Sequence, residues 1–256
     1  MSDPAPPPQP TGLILAMARE FACFAGELEP RPMLTVAGLG FHAGRIDGRP
    51  VVAVMSGIGK VNAAIATTLL IEELGCRAVI CSGVAGAMVP RLGIGDAVVA
   101  TRAIQHDYGA LVGERLVRYQ PGVPPLPGLP TQHGYDLAPD LLTRVREAVD
   151  DWLPPPFAVG GRDYTPALHY GPVLSGDQFM NCAVSRDRLA GETAGLAVEM
   201  EGAAIAQTAT ALGVPWLVLR TVSDLAGADS HLDFLAFVDA VADGAAALVR
   251  RVLPVV

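Results

Sequence analysis

The stretch "VVAVMSGIGKVNAA" (Val51 to Ala64) sets the pattern from which the fold is predicted. An aliphatic run is followed by Gly57 and Gly59 and then by Lys60, which opens a segment with helical spacing. This order predicts a buried strand, a tight glycine turn and a helix whose first backbone N–H groups have no partner within the helix. The glycines either permit a sharp turn and nothing more, or present those N–H groups to a ligand.

Two common nucleotide motifs do not fit this stretch. A P-loop needs a glycine where Val54 stands and a hydroxyl residue where Val61 stands. A dinucleotide fingerprint needs a third glycine at the position of Asn62. The sequence therefore argues against a Walker-type nucleotide hydrolase and against a nicotinamide-dependent oxidoreductase.

Composition limits the partner. The 256 residues are 51% hydrophobic and 17% charged, so a sizeable core can be buried and wholesale disorder is excluded. The formal net charge of -8 disfavours a nucleic acid or an anionic membrane as the main partner. No apolar run reaches the length of a membrane span. We therefore expect a small-molecule partner, with no nucleic acid and no membrane.

The cysteine and histidine pattern gives no metal site. The four cysteines lack C-x-x-C spacing and the five histidines are scattered, which predicts reduced thiols, a cytoplasmic location and no bound metal. The N-terminal "MSDPAPPPQP" has no apolar core of a signal peptide, so residues 1–11 are expected to form a disordered, proline-rich tail. Residues 12–256 are expected to form a single domain.

Strands and helices alternate along that domain. The predicted strands lie at 13–17, 34–46, 51–55, 78–82, 96–106, 169–174 and 216–222, with turns at Gly38 and Gly40. The predicted helices lie at 19–28, 60–74, 140–153, 200–212 and 232–252. The proline-rich stretch 119–130 is predicted to be a loop. This pattern predicts the α/β class, as a three-layer α/β/α sandwich with a central mixed, largely parallel sheet.

Three acids stand where a predicted strand ends or a helix begins: Glu20, Glu201 and Asp224. Ligands of such sheets bind at the carboxyl ends of the strands. An acid at such a position is by itself more often a helix cap than a catalytic group, because a carboxylate stabilises unpaired N–H groups. Glu201 lies among apolar neighbours, so its burial has to be offset by hydrogen bonds.

Seven short segments follow one another along the chain: "AMARE", "SGIGKVNAA", "SGVAGAM", "SGDQFMN", "VEMEGAAIA", "RTVSD" and "SHLDF". Together they resemble the nucleoside phosphorylase and nucleosidase superfamily, and most closely its 5′-methylthioadenosine/S-adenosylhomocysteine nucleosidase branch. The resemblance covers residues 12 to 253. It implies hydrolysis of an N-glycosidic bond that releases adenine in nucleoside metabolism and methionine salvage, no cofactor or metal, and a homodimer whose neighbour closes the pocket.

The resemblance also implies roles for the acids. Glu20 matches the residue that activates the attacking water. Asp224 matches the acid that protonates adenine N7, with Ser223 as its neighbour. Glu201 matches the carboxylate on the ribose hydroxyls, and Met200 lies against the sugar.

Further positions match the walls of the nucleoside pocket. Phe179 corresponds to the aromatic residue stacked on the purine, and Met180 to the residue whose backbone reads the adenine edge. Met17, Ile58 and Phe234 align with apolar positions around the ribose and the 5′ substituent. The Gly57/Gly59 turn is thereby expected to border a nucleoside and to hold no phosphate.

Two departures leave alternatives open. Phosphorylases of this superfamily carry a Gly-Asp-Pro-x-Arg segment where this chain has "AMARE", which favours water over phosphate as the nucleophile. Val84 stands where the nucleosidases usually have a serine. The substrate is therefore methylthioadenosine, adenosylhomocysteine, 5′-deoxyadenosine or a futalosine-type compound. A phosphate-dependent purine nucleoside phosphorylase is the alternative, and a non-catalytic nucleoside-binding relative is disfavoured by the three retained acids.

Overall fold

The computed structural model describes residues 9–124, 126–129, 133–228 and 230–256. Its strands are β1 (Thr11–Leu15), β2 (Leu34–Val36), β3 (Leu39–Ile46), β4 (Arg49–Met55), β5 (Ala78–Ala87), β6 (Ala97–Gln105), β7 (Gly109–Val112), β8 (Arg115–Arg118), β9 (Tyr135–Asp136), β10 (Phe157–Val159), β11 (Arg162–Tyr164), β12 (Leu168–Ser175), β13 (Ala197–Glu199) and β14 (Trp216–Asp224). Its α-helices are α1 (Ala18–Ala22), α2 (Lys60–Glu72), α3 (Pro139–Ala148), α4 (Ala183–Thr193), α5 (Gly202–Ala211) and α6 (Ser230–Val252).

A mixed sheet forms the centre of the molecule. Its strand order is β13-β12-β6-β14-β5-β1-β4-β3-β2, with β9 added beside β6. Strand β1 pairs in parallel with both of its neighbours, β4 and β5. Strand β14 is parallel to β5 on one side and antiparallel to β6 on the other. Helices α2 and α5 pack together on the sheet, and α6 packs on β14 and β5 and also contacts α1 and α3. The predicted α/β class and three-layer arrangement are confirmed.

The core follows from the continuous apolar strands in the middle of the sheet. Every residue of β14 is buried, and β5 is buried at all positions but one. Strands covered on both faces read as unbroken apolar runs, and each fully buried aliphatic side chain contributes roughly 1.5–3 kcal/mol. The polar residues that interrupt these runs, Arg220 and Asp224 among them, are therefore costly to bury and need partners.

Two predicted boundaries in the first third of the chain are wrong. The helix predicted at 19–28 ends at Ala22 and is followed by a 3₁₀ turn at Ala25–Glu27. The chain leaves the helix because Leu28 pairs with Gly44 of β3, where a side chain on Gly44 would come within 2.3 Å of the Glu27 carbonyl oxygen. Gly40 lies inside β3, so the predicted turn there is absent and only the turn at Gly38 forms.

The middle of the chain holds elements that the sequence pattern did not reveal. These are α4, the β7–β8 and β10–β11 hairpins and the short strands β9 and β13. The helix predicted at 140–153 ends five residues early, at Ala148, and a turn at 149–151 follows it. In the proline-rich stretch, the described residues 119–124 and 126–129 lie in turns and coil, as predicted.

Of the tail predicted at 1–11, residues 1–8 lie outside the described part of the chain, and β1 begins at Thr11. At the other end, α6 runs without interruption from Ser230 to Val252. Among the described helices, none has the length and apolar character that crossing a bilayer requires.

Candidate active site

A cavity of about 190 Å³ opens at the carboxyl ends of the central strands. Parallel strands bring their carboxyl ends to one edge of the sheet, which is why residues after β1, β5 and β14 meet there. The structure places all eleven residues predicted for the site around this one cavity: Met17, Glu20, Ile58, Val84, Phe179, Met180, Met200, Glu201, Ser223, Asp224 and Phe234. Their individual roles stay predictions.

Glu20 lies at the start of α1 with its carboxylate turned into the cavity. One carboxylate oxygen accepts hydrogen bonds from the N–H groups of Ala16 (2.9 Å) and Met17 (3.0 Å), and the other accepts one from Val84 N–H (3.2 Å). Burial raises the pKa of Glu20, and Arg220 and these N–H groups oppose that rise. The carboxylate is thus fixed in position by the backbone while it faces the cavity.

Glu201 is the N-cap residue of α5, but its side chain makes no cap hydrogen bond. Its carboxylate instead accepts a hydrogen bond from Gly59 N–H (2.9 Å), across the cavity wall, and lies 3.4 Å from Arg220 Nη2. Gly59 has φ +103°, a backbone conformation that glycine adopts at little cost. The glycine turn therefore does more than reverse the chain, because its Gly59 N–H donates a hydrogen bond to the Glu201 carboxylate.

Burial and the adjacent carboxylate of Glu199 raise the pKa of Glu201, and Arg220 and the Gly59 N–H oppose the rise. A capping role is excluded by the missing cap bond, so the position of this carboxylate is set by the site and not by the helix. A buried carboxylate that points into a cavity has unused acceptor capacity for a ligand hydroxyl.

Asp224 ends β14 and is only 3% exposed. One of its carboxylate oxygens accepts a hydrogen bond from Ala226 N–H (2.9 Å), and the other accepts one from Ser223 Oγ (3.0 Å). Burial raises its pKa, and these hydrogen bonds oppose the rise. Within the described residues no lysine, arginine or histidine forms an ion pair with Asp224, so nothing cationic favours its ionised form.

Two charged residues at the site, Arg220 and Glu199, were not predicted from the sequence. Arg220 lies in the middle of β14, is 1% exposed and donates to Glu199 and Glu201 from the same nitrogen. Glu199 also accepts hydrogen bonds from the N–H groups of Glu201 (3.0 Å) and Gly202 (2.8 Å), and from Ser175 Oγ. A charge within an apolar strand and a second acid two positions before Glu201 were the available signals.

Gly83 makes room for this buried charge network. A Cβ atom at Gly83 would lie 2.6 Å from both Glu20 Oε1 and Arg220 Nη1. The two charged groups therefore approach the same stretch of β5 backbone, and any larger residue would separate them from it. In the same strand, a Cβ atom at Gly86 would lie 2.8 Å from Asp224 Oδ1. Both glycines of the "SGVAGAM" segment thus allow the close approach of an acid.

Apolar and aromatic side chains close the rest of the cavity. The rings of Phe179 and Phe234 meet edge to face with centroids 6.2 Å apart, and both line the cavity. Phe179 is 50% exposed and Ile58 is 52% exposed, which leaves apolar surface free at the opening. Half-exposed aromatic surface at a cavity mouth is available for stacking on a planar ligand.

The charges in the cavity wall are all negative. Its lining residues, all within the described part of the chain, include Glu20, Glu199, Glu201 and Asp224 but no lysine, arginine or histidine. Arg220 lies behind the wall and is committed to the two glutamates. Elsewhere in the described residues, no group of three histidine, cysteine or acidic side chains is arranged to hold a metal ion. This cavity suits a neutral or cationic ligand better than a phosphate dianion.

Comparison with known proteins places the chain in a family. Residues 10–254 match the phosphorylase superfamily. The 5′-methylthioadenosine/S-adenosylhomocysteine nucleosidase of Mycobacterium bovis is 43% identical over 246 residues, which cover 95% of this chain and 96% of that protein.

Solved structures agree with this match. The nucleosidase of the same name from Neisseria meningitidis, in complex with methylthio-immucillin-A, superposes with a TM-score of 0.80 at 29% identity, covering 96% of this chain and 99% of that one. The futalosine hydrolase of Helicobacter pylori gives a TM-score of 0.79 at 28% identity, covering 96% of this chain and 97% of that one. The chain belongs to the phosphorylase superfamily and, within it, to the 5′-methylthioadenosine/S-adenosylhomocysteine nucleosidase family.

Proposed function

We propose that this protein hydrolyses the N-glycosidic bond of 5′-substituted adenosines, with 5′-methylthioadenosine and S-adenosylhomocysteine as substrates, and releases adenine. The observation that carries the proposal is the convergence of Glu20, Glu201 and Asp224 on one cavity, although 204 positions separate the first acid from the last. The bond to adenine needs an acid for the base, a negative charge for the sugar and a base for water. These three carboxylates supply one group for each task.

Asp224 acts on the leaving group. Adenine leaves slowly as an anion, and a general acid that protonates N7 lowers this barrier. Because burial raises the pKa of Asp224 and no cation opposes it, this side chain keeps its proton at a higher pH than an ordinary aspartate does. Ser223 Oγ and Ala226 N–H fix the carboxyl group while it donates.

Glu201 stabilises the sugar. Departure of the base leaves positive charge on the ribosyl ring, and a carboxylate on the ribose hydroxyls stabilises that charge most strongly in the transition state. The hydrogen bond from Gly59 N–H and the neighbouring Arg220 favour the ionised form of Glu201 against its burial. Met200 and Ile58 line the same part of the cavity and would pack against the ring.

Glu20 activates water. As in inverting glycosidases, a carboxylate on the face opposite the leaving group accepts the proton of the attacking water. The three backbone N–H groups on Glu20 hold its two oxygens in place, so the remaining lone pairs point in a fixed direction. Val84 supplies one of those N–H groups, and its side chain adds no hydroxyl beside the water.

Water is favoured over phosphate by charge. A phosphorylase has to bind a dianion beside the ribose, which calls for arginine or lysine side chains or for several free N–H groups. The cavity wall carries four acids and, among its described lining residues, no cation, so a dianion would meet like charge. Arg19, next to Glu20 in the sequence, is exposed and paired with Asp239 instead.

The experiment is a product analysis with and without phosphate. The purified protein is incubated with 5′-methylthioadenosine, and the adenine and sugar products are identified by mass spectrometry. We expect adenine and free methylthioribose at the same rate in both buffers. A ribose 1-phosphate product that depends on phosphate would replace hydrolysis by phosphorolysis, and absence of adenine in both buffers would refute catalysis on this substrate.

A futalosine-type nucleoside is the second candidate substrate. It is favoured by the structural match to the Helicobacter pylori futalosine hydrolase and by Val84 at the usual position of a serine. Competing S-adenosylhomocysteine, 5′-deoxyadenosine and futalosine against 5′-methylthioadenosine in one reaction ranks them by kcat/KM. A futalosine preference would transfer the assignment to that candidate without changing the roles of the acids.

We further propose a homodimer that acts in the cytoplasm. Helices α2 and α5 pack against each other, and Val61 (70% exposed), Ile65 (39%) and Leu212 (37%) leave apolar surface on this pair of helices. A second copy that covered this surface would lie next to Ile58 and hence next to the cavity. All four cysteines are free thiols, which fits a reducing compartment. Light scattering of the purified protein tests the dimer.

A further inference from the structure

Lys60 is the only lysine among the 18 lysine and arginine residues of the sequence. It opens α2 directly after the Gly57–Gly59 turn, yet its side chain does not reach the cavity. A sequence that otherwise uses arginine for every basic position retains here a compact ammonium group. Lysine and arginine differ in donor geometry, so the environment of this side chain shows what the ammonium is needed for.

The ammonium group lies among three acceptors from two segments, Gln105 and Asp107 at the end of β6 and Asp177 after β12. Lys60 Nζ is 2.5 Å from Asp107 Oδ1, 3.3 Å from Gln105 Oε1 and 3.8 Å from Asp177 Oδ2. Its side chain is 16% exposed and that of Asp107 is 19% exposed. Gln105 and Asp107 accept hydrogen bonds from the ammonium group, and the Asp177 carboxylate lies at ion-pair distance. This compact set of partners suits the point charge of lysine, whereas the planar fork of arginine presents its donors in one plane.

Backbone hydrogen bonds close the same cluster. Asp177 Oδ1 accepts from Lys60 N–H (2.9 Å), and Asp107 Oδ2 accepts from Asp177 N–H (2.9 Å). Burial alone would raise the pKa of Asp107, but the hydrogen bonds from Lys60 and from Asp177 N–H outweigh it, and that pKa is lowered. Both aspartates are thus held close to each other by one cation.

The cluster joins two walls of the cavity. On one side, Lys60 follows Gly59, whose N–H holds the Glu201 carboxylate, and Ile58, which lines the cavity. On the other side, Asp177 stands two residues before Phe179 and three before Met180. Without the ammonium, the carboxylates of Asp107 and Asp177 would repel each other, and the segment that carries Phe179 would move away from the turn.

We infer that Lys60 is a positioning residue that neutralises Asp107 and Asp177 and thereby holds the Phe179–Met180 segment at the distance from the glycine turn that a purine base requires. The inference rests on the proposed function for the identity of the base. It concerns binding of the base more than the chemical step, because Lys60 contacts none of the three acids that carry the chemistry.

The test compares Lys60→Met with the double variant Lys60→Met/Asp107→Asn. For Lys60→Met we expect KM for 5′-methylthioadenosine and the inhibition constant of adenine to rise about tenfold, with kcat within about threefold of the wild type, since ground-state and transition-state binding of the base fall together. Removing the Asp107 charge as well should restore most of the loss, because the repulsion is gone. Lys60→Arg, which keeps the charge, should fall between the wild type and Lys60→Met.

Arg144→Met is the matched control. Arg144 forms an exposed ion pair with Asp140 on α3, and its loss should leave both constants unchanged. A fall in kcat at constant KM, or a double variant as weak as the single one, would overturn the inference. Circular dichroism of each variant establishes that the comparison is made on folded protein.

A second readout needs no turnover and no substitution at position 60. Biosynthetic labelling with ¹³C-lysine gives one set of lysine side-chain NMR signals, because Lys60 is the single lysine of the sequence. We expect adenine to shift the Lys60 signal of the wild type, and Asp177→Asn to weaken that response. A signal that ignores adenine while adenine binds would overturn the inference. A protein that binds adenine with a Lys60 response but cleaves no nucleoside would refute the proposed function alone.

Discussion

The two ends of the cavity surround a buried carboxyl group with different partners. At the base end, Asp224 accepts hydrogen bonds from one hydroxyl and one backbone N–H, and no cation pairs with it among the described residues. At the sugar end, Glu20 and Glu201 share the influence of Arg220 and accept several backbone N–H groups. Burial acts on all three acids, but only at the sugar end does positive charge oppose it. The pKa of each acid is raised all the same, that of Glu201 to about 7, so the sugar-end acids differ from Asp224 in having a cation that limits the rise, whereas only hydrogen bonds limit it at the base end.

The largest effect we predict comes from removing the acid at one end and the base at the other. Asp224→Asn and Glu20→Gln should each lower kcat for 5′-methylthioadenosine by about 10²–10⁴-fold, the usual contribution of a positioned acid or base. The two variants should differ in their hydrolysis rates on a ribosyl substrate whose leaving group is p-nitrophenolate. Such a leaving group needs no protonation, so Asp224→Asn should approach the wild-type rate while Glu20→Gln stays slow.

Absorbance of p-nitrophenolate and chromatography of adenine give the two rates. Equal losses for both variants on both substrates would contradict the division of the cavity into an acid end and a water end. A Glu20→Gln variant that is rescued by the better leaving group would place Glu20, and not Asp224, beside the base.

Removing the cation that distinguishes the two ends should cost stability next. Arg220→Met leaves Glu199 buried with hydrogen bonds but without a counter-charge, and breaking a buried ion pair in this way costs about 3–5 kcal/mol. We expect this loss in the free energy of unfolding by urea. Arg220→Lys keeps a charge but fewer donors and should lose less.

An exposed ion pair provides the control. Arg251 pairs with Asp151 at the surface, and Arg251→Met should change the free energy of unfolding by no more than about 1 kcal/mol. If Arg220→Met were as stable as this control, the buried arginine would not be what holds the sugar-end carboxylates, and the contrast between the two ends would need another origin.

The same contrast explains what the sequence could and could not predict. Glu20, Glu201 and Asp224 were found because apolar runs end at them, and the ends of parallel strands meet whatever the details of packing. Arg220 was missed because it stands in the middle of such a run, where only its spatial partner Glu199 explains a buried charge. Sequence spacing indicates where apolar strands run but does not show which charges face each other across them.

Glycines were misread for a related reason. The strand predicted at 78–82 ended five residues early, just before Gly83, whereas β5 continues to Ala87. In the sheet, Gly83 leaves room for Glu20 and Arg220, and Gly86 leaves room for Asp224. A close approach by a residue distant in the chain has no local signature, so the strand ended in the prediction where the site begins.

The smallest predicted effect is a gain in stability at the base end. Since burial raises the pKa of Asp224 above its ordinary value of 3.8, the folded protein binds this proton more tightly than the unfolded chain. The group's contribution to stability is therefore complete below 3.8 and is lost as the pH rises through the raised pKa. Asparagine cannot ionise, so Asp224→Asn should raise Tm at pH 8 by about 2–4 °C, the shift that about 1 kcal/mol produces in a chain of this size.

Asp136→Asn is the control of opposite sign. The side-chain hydrogen bond from Arg102 lowers the pKa of Asp136, so the stability that this pair adds is present at neutral pH and is lost as the pH falls. Because Asp136 is 59% exposed, its replacement should lower Tm at pH 8 only slightly. We measure thermal unfolding of both variants and the wild type at pH 8 and at successively lower pH. As the pH falls, the positive Tm difference of Asp224→Asn and the negative one of Asp136→Asn should both shrink. A lower Tm for Asp224→Asn at pH 8 would mean that its carboxylate is stabilised in the folded protein, and an acid so stabilised is a poor proton donor to adenine.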